Sequence, residues 1–362
     1  MTERITKKRV TMMDVAKAAG CSQATVSVVL NNITDIKISP DLRHRVLESA
    51  RSLGYGRGSP ILRGALEGLR GSCVGFIVDQ LSTTPEAVNA IEGARQASWS
   101  DDVTILVAQT QGRAEHERKA LACLLQAGAQ GLIYMSIFTR RVSLDRVFQD
   151  LPMPVVLLNC YTGEQVFPSV VPDEVSGGRQ ATASLIAQGH RRIATIVGEN
   201  FMEAAQDRLA GYRQALAEAG IAYDDALVVS GNWTPTSGYE ATRKLLALNA
   251  PPTAIFCQND KMAMGCFTAA AEVGMNIPHD LSVVGYDDDE LSRHLRPQLT
   301  TLELPHRQMG AWAIAQLARK VERKSHRTHK VTCAMVERAS TAPLGQPFRT
   351  VKPRAGAITD HT

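Results

Sequence analysis

The chain has 362 residues, 44% of them hydrophobic and 21% charged, which is enough material for more than one buried core. No stretch approaches the roughly 20 apolar residues of a membrane span, and the opening MTERITKKRV lacks the apolar run of a secretion signal, so a cytoplasmic protein is expected. Residues 1–60 carry ten Lys or Arg against five Asp or Glu, while the remainder carries 30 against 31. A head of +5 followed by a body of −1 points to a polyanionic partner at one end only. The seven cysteines are scattered without a C-x-x-C pair, and they read as reduced, mostly buried small hydrophobes with no metal or other cofactor implied.

Thr11 is placed to cap a first helix with Asp14 at its third position, with Val15, Ala18 and Ala19 turned inward and Gly20 as a left-handed stop. Ser22 is placed to cap a second, whose Val26, Val29 and Leu30 form an inner stripe, leaving Gln23, Ala24, Ser27, Val28 and Asn31 on the other face. A third opens at Ser39-Pro40, packs through Leu42, Val46, Leu47, Ala50 and Leu53, and stops at Gly54. Two short helices joined by a tight Gly-containing turn predict a helix-turn-helix over residues 1–56, whose second helix enters the major groove of DNA. A generic three-helix bundle that binds protein is the competing reading, and the local positive charge argues against it.

Residues 57–72 are rich in Gly and Arg and read as a hinge, with a simple flexible tether as the alternative. Beyond them, apolar runs such as CVGFIVD, TILVAQ, GLIYMS and VVLLN alternate with amphipathic stretches, and a second series begins at SVVPDE. The predicted fold class is therefore a small all-α head plus an α/β core of two parallel-sheet lobes. The first lobe is expected at about 73–160 plus 302–330 and the second at about 161–295 plus 331–343, with KVTCAMV passing back between them. Ligands bind such sheets beyond the carboxyl ends of the strands. Asp79, Asn159, Asn259, Asp260 and Asp287 follow apolar runs there, Arg208 opens a helix and Trp233 supplies an aromatic surface. Plainer readings stand beside these: Asp260 as a helix cap, Trp233 as core, and Asp288, Asp289 and Glu290 as a solvated loop.

TMMDVAKAAGCSQATVSVVLNN and LESARSLGY resemble the head of the lactose-repressor/galactose-repressor (LacI/GalR) family, and QGHRRIA, DRLAGYR, PPTAIFCQND, MAMG and SVVGYDD resemble its effector-binding core, which is similar to periplasmic sugar-binding proteins. The resemblance implies that Gln23, Ala24 and Val28 face base edges while Ser22, Thr25, Ser27 and Asn31 hold phosphates, with Thr11 on the same DNA-binding surface. Many members have Arg where this chain has Val28, which favours an apolar contact such as a thymine methyl. It also implies that Leu66 enters the minor groove as a wedge, with Leu62 or Leu69 as alternatives, and that Asn159, Arg208, Trp233, Asn259, Asp287 and His306 line the effector pocket, to which the strand-end rule adds Asp79.

No G-x-S-x-G elbow, phosphate loop or H-E-x-x-H pair is present, so an enzyme is not expected. The expected protein is a repressor whose homodimer grips a pseudo-palindromic operator under control of a small effector, with a neutral sugar favoured and induction or co-repression both open. A sugar-binding protein without DNA activity is the alternative function. The tail at 344–362 reads as disordered and carries no heptad for tetramers.

Overall fold

The computed structural model describes residues 10–30, 36, 38–53, 55, 72–81, 85–98, 103–319 and 327–345. Asn31, Gly54, the hinge with Leu62, Leu66 and Leu69, and the tail beyond 345 lie outside the described residues. The chain divides at Gly71 into two compact units.

In the first unit α1 (Met12–Ala19), α2 (Gln23–Leu30) and α3 (Pro40–Ser52) pack around Val15, Ala16, Ala19, Val26, Val29, Val46 and Ala50. Thr11 and Asp14 cap α1 reciprocally: the Thr11 N–H donates to Asp14 Oδ2 at 2.7 Å and the Asp14 N–H to Thr11 Oγ1 at 3.3 Å. Gly20, at φ 66°, ends the helix in the left-handed region, where a side chain would be strained. Ser22 Oγ accepts from the Thr25 N–H at 3.1 Å and opens α2. Three packing expectations are corrected. Ala18 is exposed and Ala16 is buried in its stead, because the inward face of α1 runs through Val15, Ala16 and Ala19. In α3 the inward line is the partly buried Leu42 with the buried Val46 and Ala50, at intervals of four, so Leu47, rotated about 100° from Val46, is exposed, as is Leu53.

In the second unit, β1 (Ser72–Val78), β2 (Val103–Gln109), β3 (Ala129–Arg141), β4 (Val155–Tyr161), β5 (Ser169–Pro172) and β11 (His329–Val331) form a parallel sheet in the order β11-β5-β4-β3-β1-β2. Its faces are covered by α4 (Glu86–Ser98) and α5 (Ala114–Gln126), and by α11 (His306–Leu317), which packs on α4. The second sheet is β7 (Val228–Ser230), β6 (Ile193–Val197), β8 (Ala254–Cys257) and β9 (Ser282–Val284), also parallel. Around it stand α6 (Glu174–Ala187), α7 (Glu203–Glu218), α8 (Pro235–Leu246), α9 (Asp260–Glu272) and the short α10 (Leu291–His294). Buried runs such as Phe76-Ile77-Val78 and Ala254 to Cys257 are apolar on both faces because helices cover both, the pattern of a parallel sheet.

Ser169–Pro172, expected in the second lobe, instead pairs with β4 in the first sheet, with Leu157 opposite Ser169 and Leu158 opposite Val170. Four apolar or small residues identify a strand but not which sheet accepts it. KVTCAMV is likewise two strands: His329–Val331 joins β5, and Met335–Val336, β12, pairs antiparallel with β10 (Thr301–Leu302). Among the described residues the chain therefore passes between the lobes after β5, between β10 and α11, and between β11 and β12. Among them also, no helix is long and apolar enough to cross a membrane.

Candidate functional site: the cleft between the lobes

The carboxyl ends of both sheets open on one cleft of about 770 Å³, within the range of small-molecule sites. Asn159, Arg208, Trp233, Asn259, Asp287 and His306 all line it. Asn159, Trp233 and Asp287 have φ of 57°, 66° and 110°, a left-handed backbone unusual for residues with side chains. Such conformations gather at ligand sites, where the surrounding structure imposes them. The indole of Trp233 stands where Gly198 leaves room: a Cβ there would lie 1.8 Å from the ring.

Arg208, at 4% exposure, is held flat by Glu174, with Nε to Oε2 at 2.8 Å and Nη2 to Oε1 at 3.0 Å, while Nη1 donates to the Gln258 carbonyl. Its guanidinium carbon lies 3.7 Å from the ring centre of Tyr286. Burial pulls its pKa down, but Glu174, Tyr286 and Asp287 together raise it by more, and the charge is kept. Asp287 approaches Nη1 only to 3.7 Å. Burial raises its pKa, with Asp260, Glu86 and Glu174 repelling the carboxylate and Arg208 opposing them. His306 is 2% exposed, and burial, then Arg208, pushes its pKa down to about 3, so the ring is neutral. Among the described residues, both its nitrogens lack a hydrogen-bond partner, as do Trp233 Nε1 and Glu86 Oε2.

Other polar groups are already committed. Asp79 does not line the cleft: its carboxylate accepts from Gln80 N, Ile137 N, Ser136 Oγ and Arg140 Nη2 at 2.8–3.1 Å, tying β1 to β3. Asn259, and not Asp260, caps α9, accepting from Met262 N at 2.9 Å and donating to the Trp233 carbonyl at 3.1 Å. Asp260 accepts from Thr301 Oγ1 at 2.6 Å and Asp289 N at 2.8 Å, and burial pushes its pKa up to about 7. Asp288 is no solvated loop residue, since Arg293, Arg338 and Ser292 all donate to it. Thr139, which donates to Asn159 Oδ1 at 2.6 Å, and Glu86 and Glu174 are cleft residues that the strand-end rule passes over. Each is an acid opening a helix or a residue just past the apolar part of β3, a signal present in PEAVNA, VPDE and SIFT.

The model of bacterial regulatory proteins of the lacI family matches residues 11–57, and that of a periplasmic binding protein-like domain matches residues 182–341. Catabolite control protein A of Priestia megaterium is 34% identical over 318 residues, 87% of this chain and 94% of that protein. HTH-type transcriptional repressor PurR of Photobacterium profundum is 30% identical over 336 residues, 92% of this chain and 99% of the repressor. The chain belongs to the LacI family. Solved LacI-family structures agree. A transcriptional regulator from Rhizobium etli has 31% identity and a TM-score of 0.69 over 75% of this chain and all of that one. The regulator CelR in complex with cellobiose has 30% identity and a TM-score of 0.61 over 92% of this chain and all of that one.

As a LacI-family transcriptional repressor, the protein pairs a DNA-binding head with an effector-binding core, and its relatives are regulators and not enzymes. In the head, Ser22, Gln23 and Ala24 are exposed and Thr25, Ser27 and Val28 half-buried, so α2 presents a low, small-residue face. Thr11 and Thr25 spend hydroxyls on their own helices, Thr11 Oγ1 donating to Asp14 Oδ2 and Thr25 Oγ1 lying 2.9 Å from Ser22 Oγ.

Proposed function

We propose that the repressor binds a pseudo-palindromic operator as a cytoplasmic homodimer through the α2 face, and that a sugar-class effector in the cleft sets its operator affinity. Base contacts fall to Gln23, Ala24 and Val28, phosphate contacts to Ser22, Thr25, Ser27 and Asn31, with Thr11 on the same DNA-binding surface, and the minor-groove wedge to Leu66. The effector contacts are Asn159, Arg208, Trp233, Asp287 and His306, with Asn259 acting on Trp233 from behind. The observation that carries the reading is the set of buried, unpartnered donors and acceptors on Trp233, His306 and Glu86 around one cavity. Buried polar groups are costly without partners, so a ligand rich in hydroxyls, each donor and acceptor at once, offsets that cost. An indole face also suits the C–H face of a sugar ring.

The effector acts by binding one arrangement of the lobes better than another. Electrophoretic shifts on the DNA upstream of the protein's own gene, with a panel of sugars and a purine base titrated in, test the proposal. A specific shift at moderate salt that a sugar strengthens or releases is expected. Equal binding to every duplex would overturn the operator reading, and a response to the purine alone would overturn the sugar reading.

A further inference from the structure

Of the residues that line the cleft, eight are Asp or Glu and four are Lys or Arg. Most of the bases are already matched: Arg208 lies on Glu174, Arg293 is 3.0 Å from Asp288 and Arg307 is 4.0 Å from Glu92. Lys261 alone of the four has no carboxylate within 4 Å among the described residues, whereas Glu86, Glu199, Asp289 and Glu303 have no basic group within that distance. The excess is therefore negative, four unmatched acids against one unmatched base.

Two of the acids stand out. Glu86, at the start of α4 in the first lobe, has a buried Oε2 without a hydrogen-bond partner among the described residues. Asp287, in the second lobe, reaches no closer than 3.7 Å to an arginine that Glu174 already holds by two hydrogen bonds. The charge of Glu86 is felt at Asp287, where it adds to burial in disfavouring the carboxylate. His306, at 2% exposure and with both nitrogens unpartnered, lines the same cavity, so these acids belong to a ligand site and not to a solvated patch.

A neutral polyol donates hydrogen bonds to carboxylates but leaves their charge uncompensated when the lobes exclude water, and a phosphate adds like charge. An ammonium group supplies three donors and the missing charge together. We infer that the cleft takes a polyhydroxylated effector bearing a positively charged amine, an amino sugar in chemical class, with its ammonium between Glu86 and Asp287. This rests on the sugar-class reading above and departs from the neutral sugar that the sequence favours. The hydroxyl groups are then left to Trp233, His306 and Asn159.

Calorimetric titration of the full-length protein with matched sets tests the inference, using glucose, galactose and mannose, each as free hexose, 2-amino hexose, N-acetylated amino hexose and 6-phosphate. In at least one set the amine should bind about tenfold or more tightly than its hexose, the size of a charged hydrogen bond, with the gain lost on acetylation and the phosphate weakest. Glu86→Gln, which keeps the shape of the side chain, should bring amine and hexose to within about threefold of each other by removing that one charge. Hexose binding as well as amine in every set, or phosphate binding best, would overturn the amine and leave the sugar class standing. An amine preference that survives Glu86→Gln would overturn the seat assigned to the ammonium. If no member of any set binds, the sugar-class reading falls and the amine with it.

Discussion

Two aspartates, one in each lobe, lie past the carboxyl end of an apolar strand, and they do opposite work. Asp79, after β1, has its carboxylate filled by four donors and is withdrawn from the cleft, whereas Asp287, beyond β9, has among the described residues only a distant arginine and faces the cavity. Position at a strand end selects both, and the number of hydrogen-bond positions left open separates them. The largest expected effect tests that separation. Asp79→Ala should cost about 3 kcal/mol of stability, because it leaves the Ile137 N–H and the Ser136 hydroxyl buried without an acceptor. Denaturant titration reads the loss, and the affinity of the surviving folded protein for whichever sugar the panel identifies should stay within about threefold. A stable Asp79→Ala protein with its ligand affinity gone would erase the distinction.

His306 sharpens the same contrast through pH. Its folded pKa is depressed to about 3, so its contribution is full above the unfolded value of 6.5 and is lost as pH falls from there toward 3. At pH 4 the penalty for keeping it neutral is about 3 kcal/mol, following 1.36 kcal/mol per pH unit. His306→Phe, which fills the site without ring nitrogens, should therefore lose about that much less stability than the parent between pH 7 and pH 4. It should also weaken the sugar ligand, since the two unpartnered nitrogens vanish. Equal acid sensitivity in the two proteins would show that the ring is not held neutral. A smaller effect is expected at Asn259, both ends of whose amide are committed. Asn259→Ala should cost about 1–2 kcal/mol of stability through the lost cap, and Asn259→Asp should restore most of it, because a carboxylate caps α9 equally well. Aspartate cannot donate to the Trp233 carbonyl, so Asn259→Asp should still bind the sugar more weakly.

This contrast also explains what the sequence discloses. The helix-turn-helix is legible because Thr11, Asp14, Gly20 and Ser22 act on neighbours three or four residues away, so cap and stop are local facts. The alternation of the core is legible for the same reason, since periodicity is local. The sheet that receives Ser169–Pro172 is not, because the choice is made by pairing with Leu157 and Leu158 across a loop. The committed state of Asp79 depends on Ile137 and Arg140, some sixty residues away, and that of Asp288 on Arg338, fifty residues away. Helix-opening acids such as Glu86 and Glu174 look like ordinary first-turn carboxylates, and only the second lobe makes them walls of a cleft.

The head carries the distinction in its mildest form. Thr11 and Thr25 spend their hydroxyls inside their own helices, while Val28 has no hydrogen bond to spend and presents only methyl groups on the surface of α2. If Val28 meets a thymine methyl, the contact is a pair of apolar groups leaving water, about 1 kcal/mol and a few-fold in operator affinity. Val28→Ala removes one partner, and replacing the contacted thymine by uracil removes the other. Because both changes delete the same contact, they should not add: wild type loses affinity on uracil substitution, and Val28→Ala, already weakened, loses little more. The half-buried position keeps the change in head stability small, so the coupling is read in binding alone. Equal uracil sensitivity in the two proteins would place Val28 away from the base edge and return the reading of that step to Gln23 or Ala24.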